Sequence, residues 1–135
     1  MVHIVKAVVY ERYGLPEVLE LREVETPVIR DGDILIKVEA ASVNRSDWET
    51  LTGKPLYARI GSLRRPRRPI LGSDIAGRVE QVGSAVESFQ PGDEVFGDVM
   101  YHGAGGFAEY VVVASRHAYQ INRSLSSTEF EIPTL

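Results

Sequence analysis

LGSDIAGRVEQVGSAVESFQPGDEVFG, residues 71–97, is β in character and broken by glycines at Gly72, Gly77, Gly83, Gly92 and Gly97. Glycine recurs in this way where strands bend tightly or where two backbones come close together. Within the stretch, QPGD places Pro91 and Gly92 at the two centre positions of a type II turn. Proline fixes the first φ, and glycine accepts the positive second one.

Working outward, the upstream DGDILIKVEAASV sets Ile34, Ile36, Val38 and Ala40 at period two against Lys37 and Glu39. That alternation predicts a strand with one buried face and one wet face. Nearer the start, IVKAVVY and VLELREVE flank the turn-forming YGLPE and predict a hairpin. Downstream, GGFAEYVVVAS and HAYQIN complete the pattern as strands. The sum is a mostly β domain of many short strands, with a few short helices, closing as a small, partly open barrel.

Two segments do not fit strands. In SDWETLTG, Ser46 is placed to cap a helix of one or two turns, with Glu49 three residues on and Gly53 where the helix would stop. Between Pro55 and Pro69 no period is visible, and LRRPRRP alternates arginine with proline, which predicts an extended, solvated loop. Arg64, Arg65, Arg67 and Arg68 are able to clamp a phosphate, of nucleic acid or of NADPH, but proline-spaced charge more often makes a solvated face.

Composition narrows the chemistry. The chain has 135 residues, 44% hydrophobic and 25% charged, with a net charge of −4. That is one domain's worth of ordinary globular sequence, and its acidity argues against nucleic acid as the main partner. With no cysteine, disulfides, thiolate ligands and a cysteine nucleophile are excluded. His3, His102 and His117 lie far apart, without metal-ligand spacing. The N-terminal apolar run is broken by Lys6, too short for a signal peptide or membrane span, so a cytoplasmic location and no membrane partner are expected.

Taken together, LGSDIAGRVEQVGSAVESFQPGDEVFG, VNRSDW and GGFAEYVVV resemble the N-terminal catalytic domain of the medium-chain dehydrogenase/reductases, which has a GroES-like barrel fold. Gly72, Gly77, Gly83, Val86, Gly92, Asp93 and Val95 all stand at that family's intervals. The resemblance runs from about Lys6 to the terminus. It implies a catalytic domain over 1–122 and, over 123–135, the start of a linker helix toward a nucleotide-binding domain. No G-x-G-x-x-G in a strand-to-helix context follows, so that domain is not in this sequence.

The zinc alcohol dehydrogenases of the family carry a cysteine where Asn44 stands, and a histidine and a glutamate at Ser73 and Asp74. By resemblance, then, this chain sides with the zinc-independent quinone oxidoreductases and related enone reductases, which use NADPH and no zinc. A weaker alternative would keep zinc through Asp47, Asp74 and His102. Carried over to this sequence, the resemblance implies three catalytic residues. Asn44 would sit beside the nicotinamide or the substrate oxygen, Ser46 would face the substrate and pass a proton, and Asp47 would support the loop. Trp48, Tyr57 and Ser73 are the expected substrate-pocket residues, with Asn44 and Arg45 toward the cofactor. An aromatic residue often found two positions after the aspartate is replaced here by Glu49. Tyr101 and His102 border a glycine-rich bend, near the cleft or on a surface turn.

The expected function is the catalytic-domain portion of an NAD(P)H-dependent oxidoreductase acting on a small quinone or other activated carbonyl, the 135-residue chain alone being inactive. The alternative is a stand-alone GroES-like binding or oligomerisation module. A barrel lacking its returning strands exposes edges that recruit other strands, and so would favour a homodimer.

Overall fold

A computed structural model describes residues 3–59, 62–67, 69–100 and 105–121. The expected hairpin is present as β1 (Ile4–Val9) paired antiparallel with β2 (Glu20–Glu25). The other strands are β3 (Asp33–Ala41), β4 (Asp74–Val82), β5 (Glu94–Asp98), β6 (Tyr110–Ala114) and β7 (Ala118–Gln120). They form an antiparallel sheet in the order β6-β3-β4-β5-β7. The sheet curls into a half-barrel. The hairpin is tied to one side of it: Val8 N–H donates to the Phe107 carbonyl at 2.8 Å, and Glu109 N–H to that of Lys6 at 3.0 Å.

Period-two burial fills the barrel. Ile34, Ile36, Val79, Val95, Val99 and Val113 are fully enclosed, β-branched side chains that suit a pleated, covered surface. Ala40 departs from the expected phase and is exposed. The reason is a register shift between Val38 and Ala40 in the pairing with β4, since one inserted residue turns the following side chains to the other face. The QPGD turn forms as read, with Gly92 at φ 96° and Asp93 N–H donating to the Gln90 carbonyl at 3.1 Å.

A second, smaller core of Tyr10, Leu51 and Leu71 seats α1 (Arg45–Thr52), the one α-helix among the described residues, against the loop that joins β1 and β2. Gly53 ends α1 in the left-handed region at φ 63°. The segment after it is not wholly extended. Leu56–Arg59 form a 3-10 turn, and Arg59 stacks its guanidinium 4.6 Å from the Tyr13 ring centroid. The expected linker at 123–135, together with Arg68, Tyr101 and His102, lies outside the described residues. Among the described residues no helix is long and apolar enough to cross a membrane.

Candidate active site

The site is built where β3 runs into α1. Asn44, in extended conformation at φ −114°, is the N-cap, and Asp47 is the third residue of the helix. Ser46 is therefore not the cap that the sequence suggested. Asp47 Oδ2 accepts the Asn44 backbone N–H at 2.8 Å, satisfying a donor that the helix cannot. Its other oxygen, Oδ1, accepts the backbone N–H of Gly72 at 3.1 Å in a buried bond. With Asp47 only 6% exposed, one carboxylate both caps the helix and clamps it to the start of β4.

The clamp depends on Gly72. Its φ of 101° is one that other residues rarely adopt, and a Cβ there would lie 2.7 Å from both the Phe107 backbone N and its ring. The Gly72 carbonyl in turn accepts from Gly106 N–H at 2.9 Å. Helix α1, the entry to β4 and the segment before β6 therefore meet at one residue.

Next to the clamp, the Asn44 side chain gathers a polar cluster. Its Nδ2 donates to Ser42 Oγ at 3.2 Å, to Ser73 Oγ at 3.3 Å and to the Asp74 carboxylate. Ser42 Oγ also reaches Asp74 Oδ2 at 3.3 Å. Ser73 is buried, and its carbonyl accepts from Val99 N–H. Sequence reading singled out Asn44 and Ser73 but gave Ser42 no part. A serine two residues before a helix cap carries no signal until the sheet brings β4 alongside.

Below the cluster opens a cleft of about 500 Å³, with Ser46, Asp47, Thr50, Tyr57, Ser73 and Tyr10 among its walls. The Ser46 hydroxyl makes no hydrogen bond among the described residues, because the cap lies two residues earlier; only its carbonyl is used, by Thr50 Oγ1 at 2.7 Å. Tyr57, 64% exposed, stands at the rim. Trp48 is half exposed and is not one of the walls. Arg45 also points to solvent and pairs with Glu49 at 3.0 Å, one helical turn away. Tyr10 and Tyr13 line the cleft without having been expected there, together with Glu49, at the position where relatives often carry an aromatic residue, and Arg67 of the arginine loop. On the other side of Asn44, Ser42 and Asp74 face a second hollow of about 550 Å³, walled by Ala40, Ala41, Ile75 and Phe96.

Residues 30–123 match the alcohol dehydrogenase GroES-like domain. The chain is 36% identical over 121 residues to a quinone oxidoreductase of Lama guanicoe, covering 87% of this chain and 34% of that protein. Among solved structures it superposes on the quinone oxidoreductase of Coxiella burnetii with a TM-score of 0.80 and 32% identity, over 92% of this chain and 39% of the other. It also superposes on the Escherichia coli quinone oxidoreductase complexed with NADPH, with a TM-score of 0.72 and 26% identity, over 90% and 34%. The chain belongs to the medium-chain dehydrogenase/reductase family, in its quinone oxidoreductase branch.

This member of the family spans about a third of the length of the curated relatives it matches. The three positions that resemblance equates with zinc ligands, Asn44, Ser73 and Asp74, do come together in the structure. Here they are joined by hydrogen bonds through the Asn44 amide. Among the described residues no group of three or more histidine, cysteine, aspartate or glutamate side chains could hold a metal. His102, the third partner of the alternative zinc set, falls outside the described residues.

Proposed function

We propose that this chain supplies the substrate-side wall of an NAD(P)H-dependent oxidoreductase that reduces a quinone, enone or other activated carbonyl without zinc. The observation that carries the reading is the Ser46 hydroxyl. It is released from helix capping and lines a cleft beside buried Ser73 and the Asn44 cluster. Small apolar walls at Ala40 and Ala41, next to Ser42 and Asp74, which the Asn44 amide engages, fit a flat, amide-bearing ring such as nicotinamide, while Arg45 faces solvent and takes no part. When bound, NADPH supplies the hydride. The chain's own residues position the substrate and serve its oxygen. Ser46 donates the proton that balances the two-electron reduction and recovers it from solvent, while hydrogen-bond donors take the developing negative charge.

The test uses the complete reading frame that contains this chain, with NADPH oxidation by a quinone as the readout. Ser46→Ala is expected to lower kcat by about a hundredfold, the lower end of what a positioned proton donor contributes. Asn44→Ala is expected to abolish quinone reduction. Unchanged turnover in both variants overturns the reading.

A second reading, a stand-alone binding or oligomerisation module, draws on one observation. Phe96 and Tyr119, both exposed, stack with centroids 5.6 Å apart on β5 and the edge strand β7. Light scattering tests it, and a monodisperse monomer removes the edge-paired dimer.

A further inference from the structure

The most basic stretch of the chain is exposed, as a solvated loop should be, but it is also held. Tyr13 donates its hydroxyl to the Ser62 carbonyl at 2.8 Å, and Arg59 Nη1 donates to that of Leu63 at 3.0 Å. The loop so anchored borders a polar hollow of about 560 Å³ whose charged walls are Arg12, Arg22, Arg64, Arg65, Glu11 and Glu20. Both glutamates are committed to Arg22. Arg12, Arg64 and Arg65 make no ion pair among the described residues, so the hollow carries an excess of guanidinium charge.

This hollow adjoins the candidate active site. Tyr10 and Pro66 are walls of both, and Arg67 stands on the cleft side. Tyr10 is 2% exposed as a residue, but its hydroxyl, which bonds no other described residue, reaches solvent where the two hollows meet. A phenol hydroxyl open at the junction of two hollows can donate to an acceptor bound there.

We propose that the arginine-lined hollow is a phosphate subsite continuous with the substrate cleft. On this assignment, which rests on the oxidoreductase reading, the substrate is an extended molecule. Its reducible enone or carbonyl lies in the cleft, and its phosphate is held by Arg12, Arg64 and Arg65, with the Tyr10 hydroxyl donating where the two hollows meet. Guanidinium forks match phosphate oxygens in pairs, and three of them suit a multiply charged group better than a single carboxylate. A small neutral quinone would leave them unused.

The experiment has two arms on the full-length protein, comparing it with the Arg64→Ala/Arg65→Ala variant and with Arg64→Lys/Arg65→Lys. In the first arm, inorganic pyrophosphate is titrated and the amide resonances of Tyr10, Arg64 and Arg65 are followed. Saturable shifts are expected in the parent, lost in the alanine variant and partly kept in the lysine variant. In the second arm, the alanine variant is expected to raise KM for an enoyl thioester with a phosphate-bearing arm by at least about tenfold, with kcat unchanged and KM for benzoquinone unmoved. Pyrophosphate binding that ignores the substitutions overturns the proposal, as does an equal change in KM for both substrates. If no substrate is turned over, the oxidoreductase reading fails, and the pyrophosphate arm still decides the subsite.

Discussion

Replacing Asp47 by alanine tests the link between local folding and the site most directly. The carboxylate accepts two backbone N–H groups, Asn44 at 2.8 Å and Gly72 at 3.1 Å, and no other acceptor serves the Gly72 donor among the described residues. Hydrogen bonds to a charged group are each worth about 1.5–3 kcal/mol, and an orphaned buried donor forfeits its desolvation cost in full. Asp47→Ala should therefore cost about 3–6 kcal/mol, against a total stability of about 5–15 kcal/mol for a domain of this size. In urea the midpoint should fall with the slope unchanged, and in a thermal scan by circular dichroism Tm should drop by at least about 10 °C. Asp47→Asn is the informative control. It keeps the volume and one acceptor oxygen but turns an NH₂ group toward the second donor, so its loss should fall between the parent and alanine. An Asp47→Ala loss below about 1 kcal/mol would refute the reasoning, because it would mean that water serves Gly72 equally well.

Three further outcomes are expected. Ser46→Ala should leave stability within about 0.5 kcal/mol of the parent by chemical denaturation, since loss of a genuine N-cap costs about 1 kcal/mol; a loss of that size would return the cap to Ser46. Gly77→Ala should destabilise by several kcal/mol in the same assay, because its Cβ would run into the Lys37 carbonyl oxygen on the neighbouring strand, and a neutral result would mean that β3 and β4 can separate there. Burial, and secondarily the neighbouring Tyr13, push the Tyr10 phenol up to about 12. The folded chain thus holds that proton more tightly than the unfolded one. The contribution is complete below pH 10 and disappears between pH 10 and 12, at about 1.4 kcal/mol per unit. Urea unfolding across that range should show the decline, and Tyr10→Phe should flatten it.

The sequence disclosed most where one periodicity dominated. Ile34 and Ile36 are in the barrel, as their period-two spacing ahead of Lys37 and Glu39 predicts, and the QPGD turn formed because its two centre residues admit little else. It misled where two local solutions overlapped. Asn44 with Asp47, and Ser46 with Glu49, both satisfy capping-box spacing, offset by two residues. The choice between them is made by Gly72, 25 positions after Asp47, whose N–H engages the Asp47 carboxylate. No window of sequence contains that contact. Ala40 was misplaced for a similar reason, because the register shift that exposes it belongs to the pairing with β4 and not to β3 alone. The arginine loop read as solvated because its anchors, Tyr13 and Arg59, are separated from each other by 46 positions and act through carbonyls that carry no residue identity.

The meeting of Asp47, Gly72 and Gly106 also sets an order of events. Gly72 cannot receive Gly106 until both β4 and the approach to β6 exist, and loop closures of this span come late because entropy is lost before contacts repay it. As the chain leaves the ribosome, the Asp47 clamp on Gly72 can form before Gly106 and Phe107, which back Gly72 in the folded domain, have emerged. For that interval the cleft residues from Tyr10 to Ser73 are already synthesised, but the backbone that holds Gly72 in place is not.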